Sequence, residues 1–64
     1  MDFTKLMMIT GMTMKDLKEI PKVALVNIIT SLESYILNNY CNATKRSEIG
    51  YQIACYQELM LTAK

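Results

Sequence analysis

Between Pro21 and Tyr40 the apolar positions are too many for a single stripe. Counting 100° per residue, Tyr35, Ile28, Leu32, Leu25, Ile36, Ile29, Tyr40, Val26 and Leu37 fill an arc of about 200°, roughly double what a surface helix needs. The spacing predicts a helix that no single neighbour can bury. Its remaining side holds Asn27, Ser31, Ser34 and Asn38 at i, i+4, i+7 and i+11, with Thr30 at the edge, and Glu33 is the only charge between Lys22 and Lys45. A solvated helix face normally carries Lys and Glu. This uncharged stripe is therefore expected to lie in a helix–helix contact, most simply across a two-fold axis with a second copy.

Gly11 and Pro21 break the chain into an N-terminal arm, a short middle segment and a C-terminal hairpin. Phe3 to Ile9 reads as a short helix. Thr13 is the expected N-cap of another through Ile20, with Asp16 three residues on as the acid of a capping box. Pro21 suits the first turn of the long helix, where its missing N–H costs nothing. That helix is expected to stop near Tyr40, because Asn38, Asn39 and Asn42 are poor helix formers and Asn tolerates a left-handed C′ position.

A last helix is expected after Thr44 or Ser47. Its apolar residues Ile49, Ile53, Tyr56, Met60 and Ala63 form a stripe within about 80°, flanked by Leu59, with Glu48, Glu58 and Thr62 opposite. A connection of about four to six residues makes the two long helices antiparallel neighbours. The predicted fold is one all-α domain over residues 1–64: two short helices in a Met-rich arm (1–20) packed on a long antiparallel helical hairpin (21–64).

Composition narrows what such a domain does. A chain of 64 residues buries only about 60% of the surface its unfolded form exposes, so help from a partner or a second copy is expected. With two Cys, no His and no paired ligand spacing, neither a metal nor a disulfide supplies that help. In an antiparallel hairpin Cys41 sits at the turn and Cys55 about 15 Å along the next helix, beyond the ~7 Å reach of a disulfide. Both are expected to be ordinary small hydrophobes. No cofactor is implied. Six acidic and seven basic residues leave a net charge of +1, too small an excess for a strong phosphate footprint. No basic n-region precedes an apolar core near Met1, and Val23 to Tyr40 is too often interrupted by polar residues to span a bilayer. The expected location is the cytoplasm, which leaves the Asn42-Ala43-Thr44 sequon incidental.

Catalysis has little to draw on. The carboxylates Asp2, Asp16, Glu19, Glu33, Glu48 and Glu58 form no pair on one helical face beside a nucleophile, and Gly11 and Gly50 are isolated rather than part of a phosphate loop. The chain is expected to be no enzyme. Five of the six methionines fall in the first fourteen residues, among them Met7, Met8, Met12 and Met14. Unbranched, polarizable Met packs either a core or an adaptable binding surface, so these four are candidates for a partner contact. Lys45-Arg46 is the only adjacent basic pair and offers a contact for an acidic group.

Gly11-Met12-Thr13-Met14-Lys15-Asp16-Leu17 is similar to the turn and second-helix start of helix-turn-helix DNA-binding domains. The resemblance covers Phe3 to Lys22. It implies a recognition helix beginning at Met14, with Lys15 and Lys18 facing DNA while Leu17 and Ile20 face inward. The principal expectation is nonetheless a non-enzymatic protein–protein interaction module, a small phage-type or regulatory inhibitor or adaptor. It would act through a helix face on another protein and self-associate as a dimer. The alternative is a dimeric helix-turn-helix transcription regulator.

Overall fold

The computed structural model describes residues 2–63; Met1 and Lys64 lie outside the described residues. Its elements are α1 (Thr4–Thr10), α2 (Met14–Lys18), α3 (Lys22–Asn38) and α4 (Ala43–Met60), an all-α arrangement in which α3 and α4 form the antiparallel hairpin.

Local chemistry sets each boundary. Gly11 ends α1 in the left-handed region at φ 71°, where its N–H donates to the Met7 carbonyl, the conformation that favours glycine at a helix C-terminus. Thr13 and Asp16 form the expected capping box: the Asp16 N–H donates to Thr13 Oγ1 at 3.1 Å, and the Thr13 N–H donates to Asp16 Oδ2 at 3.2 Å. Pro21 precedes α3 in an extended conformation as its N-cap.

Several expected boundaries move: α1 spans Thr4–Thr10 rather than Phe3 to Ile9, α2 ends at Lys18 rather than Ile20, and Pro21 caps α3 instead of entering its first turn. α3 ends at Asn38 rather than near Tyr40, and Asn39 leaves it extended (φ −131°) instead of left-handed. The Tyr35 carbonyl accepts both the Asn39 backbone N–H at 3.0 Å and the Asn39 side-chain amide at 3.2 Å, so the residue that leaves the helix is tied twice to its last turn. α4 starts at Ala43, earlier than Thr44 or Ser47 would place it. Asn42 Oδ1 accepts the Lys45 N–H at 2.8 Å, so the first residue able to cap takes the position. A four-residue connection, 39–42, remains.

The larger correction concerns which helix is enclosed. α4 carries four buried residues, Ile49, Cys55, Tyr56 and Leu59, whereas the greasier α3 carries two, Leu25 and Ile29. From Tyr51 through Tyr56 no residue of α4 is exposed. Six helical residues make more than a full turn, so this stretch is partly covered on every side and is not the one-sided amphipathic helix that its apolar stripe predicts. Cys55, absent from that stripe, is fully buried at the centre.

α3 covers one side of α4 and the N-terminal arm covers another. Leu6 and Leu17 from the arm join Leu25, Ile29, Cys55, Tyr56 and Leu59 in one cluster. Each fully buried leucine contributes roughly 1.5–3 kcal/mol by leaving water. Polar bonds fix the arm in place: Tyr51 Oη donates to the Asp2 carbonyl at 2.7 Å and accepts the Leu6 N–H at 3.4 Å. Lys5 lies over the same ring, 5.7 Å from its centre. Burial holds the Tyr51 phenol above its ordinary value, with the neighbouring Cys55 thiol adding to the effect, so Tyr51 remains a donor at neutral pH.

Tyr51→Phe removes both of these bonds and leaves the ring in place. It should lower the free energy of unfolding in urea by about 1–2 kcal/mol and speed amide exchange at Leu6 ahead of α4. Unchanged exchange at Leu6 would show that apolar packing alone holds the arm.

Candidate interaction surface

The N-terminal arm covers one flank of the hairpin and leaves the other open. On α4, Tyr51 faces the arm, and Ile53 lies two residues, or 200°, further round. Ile53 lines a depression of about 280 Å³ with Glu33, Ile36 and Leu37 of α3. A second depression, of about 450 Å³, lies between Val26, Ile29, Thr30 and Glu33 of α3 and Gln57, Met60 and Leu61 of the other helix and its end. The two share Glu33 and follow one another along the hairpin groove, and Glu33 is the only charged residue lining either.

The rim of the groove is apolar and uncovered: Leu37 is 83% exposed and Leu61 77%, with Val26 also exposed. Val23, 69% exposed, continues the same line on α3. Val23, Val26, Thr30, Glu33 and Leu37 follow one another at spacings of three, four, three and four, the pattern of a seam meant for another helix. Val26 and Leu37 are the far edge of the apolar arc read from the sequence, and Val23 lies just beyond it. That reading missed the seam's separate role because nothing in the periodicity said where the core would centre.

The residues singled out from the sequence are dispersed. Met7, Met12 and Met14 pack against the core. Met8 is 80% exposed and, beside exposed Ile9, is the part of the Met cluster left for a partner. Asn27, Ser31, Ser34 and Asn38 are all exposed along α3, immediately beside the apolar seam. Lys45 and Arg46 lie exposed in the first turn of α4. The Lys45 ammonium sits 5.4 Å from the centre of the Tyr35 ring, so this cation links the two helices beside the turn.

Lys15 and Lys18 are exposed on α2 with Leu17 buried and Ile20 half-buried, the orientation expected of them. α2 has only five residues, however, and exposed Asp16 and Glu19 sit next to its lysines. A helix that short spans about 7.5 Å.

No group of His, Cys, Asp and Glu able to hold a metal ion occurs among the described residues. Cys41 and Cys55 are free and buried. Burial raises the Tyr56 phenol, and the hydroxyl and N–H of Thr4 lower the Asp2 carboxyl; each shift follows from local packing away from any cluster of reactive groups. No helix is long and apolar enough to cross a membrane among the described residues. No protein-family model, curated protein or solved structure was found to match the chain.

Gly50 gives a further sign of an open face. It falls three, seven and eleven residues before Ile53, Gln57 and Leu61, on the groove side of α4, and a Cβ built there meets nothing within 4 Å. Glycine inside a helix costs about 1 kcal/mol relative to alanine. Gly50→Ala should therefore raise unfolding stability by about 0.5–1 kcal/mol in dilute solution, read from urea denaturation. A loss of stability would mean that another surface occupies the space above Gly50.

Proposed function

We propose that the chain is a non-enzymatic protein–protein interaction module, a small regulatory inhibitor or adaptor that acts by laying the outer side of α3 on a complementary surface and that also pairs with its own copy. One observation carries this reading: the apolar seam of Val23, Val26 and Leu37 stays uncovered although the chain has enclosed a core elsewhere. Exposed apolar residues scattered singly are ordinary, but three aligned along one helix beside a groove are the form a helix-binding site takes. The neighbouring stripe of Asn27, Ser31, Ser34 and Asn38 supports it, since small uncharged side chains lose little on being covered and allow close approach.

The mechanism is steric. Occupying a helix-sized surface on a target either blocks the target's own partner or holds two proteins together, and neither outcome calls on a reactive group. Two buried free thiols suit a reducing compartment such as the cytoplasm. The DNA-binding alternative draws on the exposed Lys15 and Lys18, but acidic neighbours offset their charge and no basic excess stands behind them.

A tagged wild-type chain and a Val23→Lys/Leu37→Lys variant should show equal helicity by circular dichroism, because both positions are exposed. Proteins captured from lysate by the wild type should be lost from the variant. Identical capture by both, together with a gel shift of genomic fragments at ~50 mM salt that disappears when Lys15 and Lys18 are reversed in charge, would transfer the function to DNA binding.

A further inference from the structure

The N-terminal arm is joined to the hairpin differently from the way α3 and α4 are joined to each other. Those two helices run 17 and 18 residues and are the pair whose backbones pack closely along their length. α1 and α2 have seven and five residues, too few to persist as helices in water without a surface to rest on. The arm is therefore ordered by its contact with the hairpin.

The polar part of that contact converges on one atom. Among the described residues, both hydrogen bonds between the arm and the hairpin end at Tyr51 Oη, which donates to the Asp2 carbonyl and accepts the Leu6 N–H. Every other hydrogen bond of the arm stays inside it: Asp2 and Thr10 serve the ends of α1, the capping box serves α2, and no main-chain bond crosses to α3 or α4. The apolar part is Leu6 and Leu17, fully buried, with Met7, Met12 and Met14 half-buried around them. Methionine fills such a contact without locking its shape.

Beneath the arm lies a thiol. Cys55 stands one helical turn beyond Tyr51 on α4, with its sulfur beside the Tyr51 hydroxyl, and is fully buried. Leu6, bonded at that same hydroxyl and part of the same cluster, is its cover. At the other end of the arm Pro21 is extended and outside any helix, so the arm can swing there without unwinding α3.

From this arrangement we propose that the arm is a strap. It lifts from α4 as a unit while α3 and α4 stay paired, and its lifting bares Cys55 and the arm-facing side of α4. Release returns the backbone freedom of the whole arm at once, which offsets the burial lost with the two leucines. Opening of this kind is a sub-global step that lies below complete unfolding in free energy. It concerns the flank of the hairpin opposite the Val23–Leu37 seam and stands independently of what that seam binds.

Thiol labelling of the full chain with a nitrobenzoate disulfide reagent, followed by peptide mapping to separate Cys55 from Cys41, reads the opening directly. The opening constant at Cys55 should exceed that from exchange of the Ile29 amide by about tenfold or more, and should change little in sub-denaturing urea, whereas that of Ile29 rises steeply. A Leu6→Asp/Leu17→Asp variant forces the arm off. It should label at Cys55 as fast as an open thiol and keep about three quarters of the wild-type helical signal in circular dichroism, the share of helical residues that α3 and α4 hold. Labelling of Cys55 that tracks Ile29 exchange at every urea concentration would overturn the strap, because arm and hairpin would then open only together. Collapse of the double-Asp variant to a coil would overturn it equally, since the hairpin would not stay paired without its arm.

Discussion

The fold depends on enclosing one stretch of α4. Between Tyr51 and Tyr56 every residue is at least half-buried, and that is possible only because α3 and the N-terminal arm approach from different sides. A 64-residue chain has few apolar side chains to spend, and the arm commits its leucines and most of its methionines to this enclosure. Covering α4 with the arm leaves nothing with which to cover the far flank of α3. The exposed seam is thus the direct consequence of how a small core is closed.

Much of this was legible in the sequence, because the signals were local. The Thr13–Asp16 capping box needs only its own turn, and it formed as read. Gly11 and Pro21 act through backbone geometry that no tertiary contact overrides, so the division into arm and hairpin follows from them. The all-α class came from periodicity over long segments, where that signal is strongest.

What periodicity could not show was the direction of burial. The apolar arc of α3 and the narrower stripe of α4 made α3 look like the enclosed helix, yet hydrophobicity states a capacity for burial and not the presence of a neighbour. The arm decides it, and its approach turns on the Tyr51 hydroxyl meeting the Asp2 carbonyl and the Leu6 N–H. That is a contact between residues nearly fifty positions apart. Cys55 was overlooked as a central core residue for a related reason: a stripe drawn from the largest side chains omits the small one at the point of closest packing. The methionines illustrate the same limit, since Met7 and Met8 are adjacent in sequence and only the contacts distinguish core from surface.

The central claim is that Val23, Val26 and Leu37 are left in water by the folded single chain and are covered only by association. Methyl NMR with a soluble paramagnetic relaxation agent addresses it directly across a dilution series. The account predicts strong relaxation of these three methyl sets in dilute solution, falling as concentration rises, while Leu6, Leu17 and Leu25 stay shielded throughout. Shielding of Val23, Val26 and Leu37 in the dilute monomer, equal to that of Leu25, would contradict it.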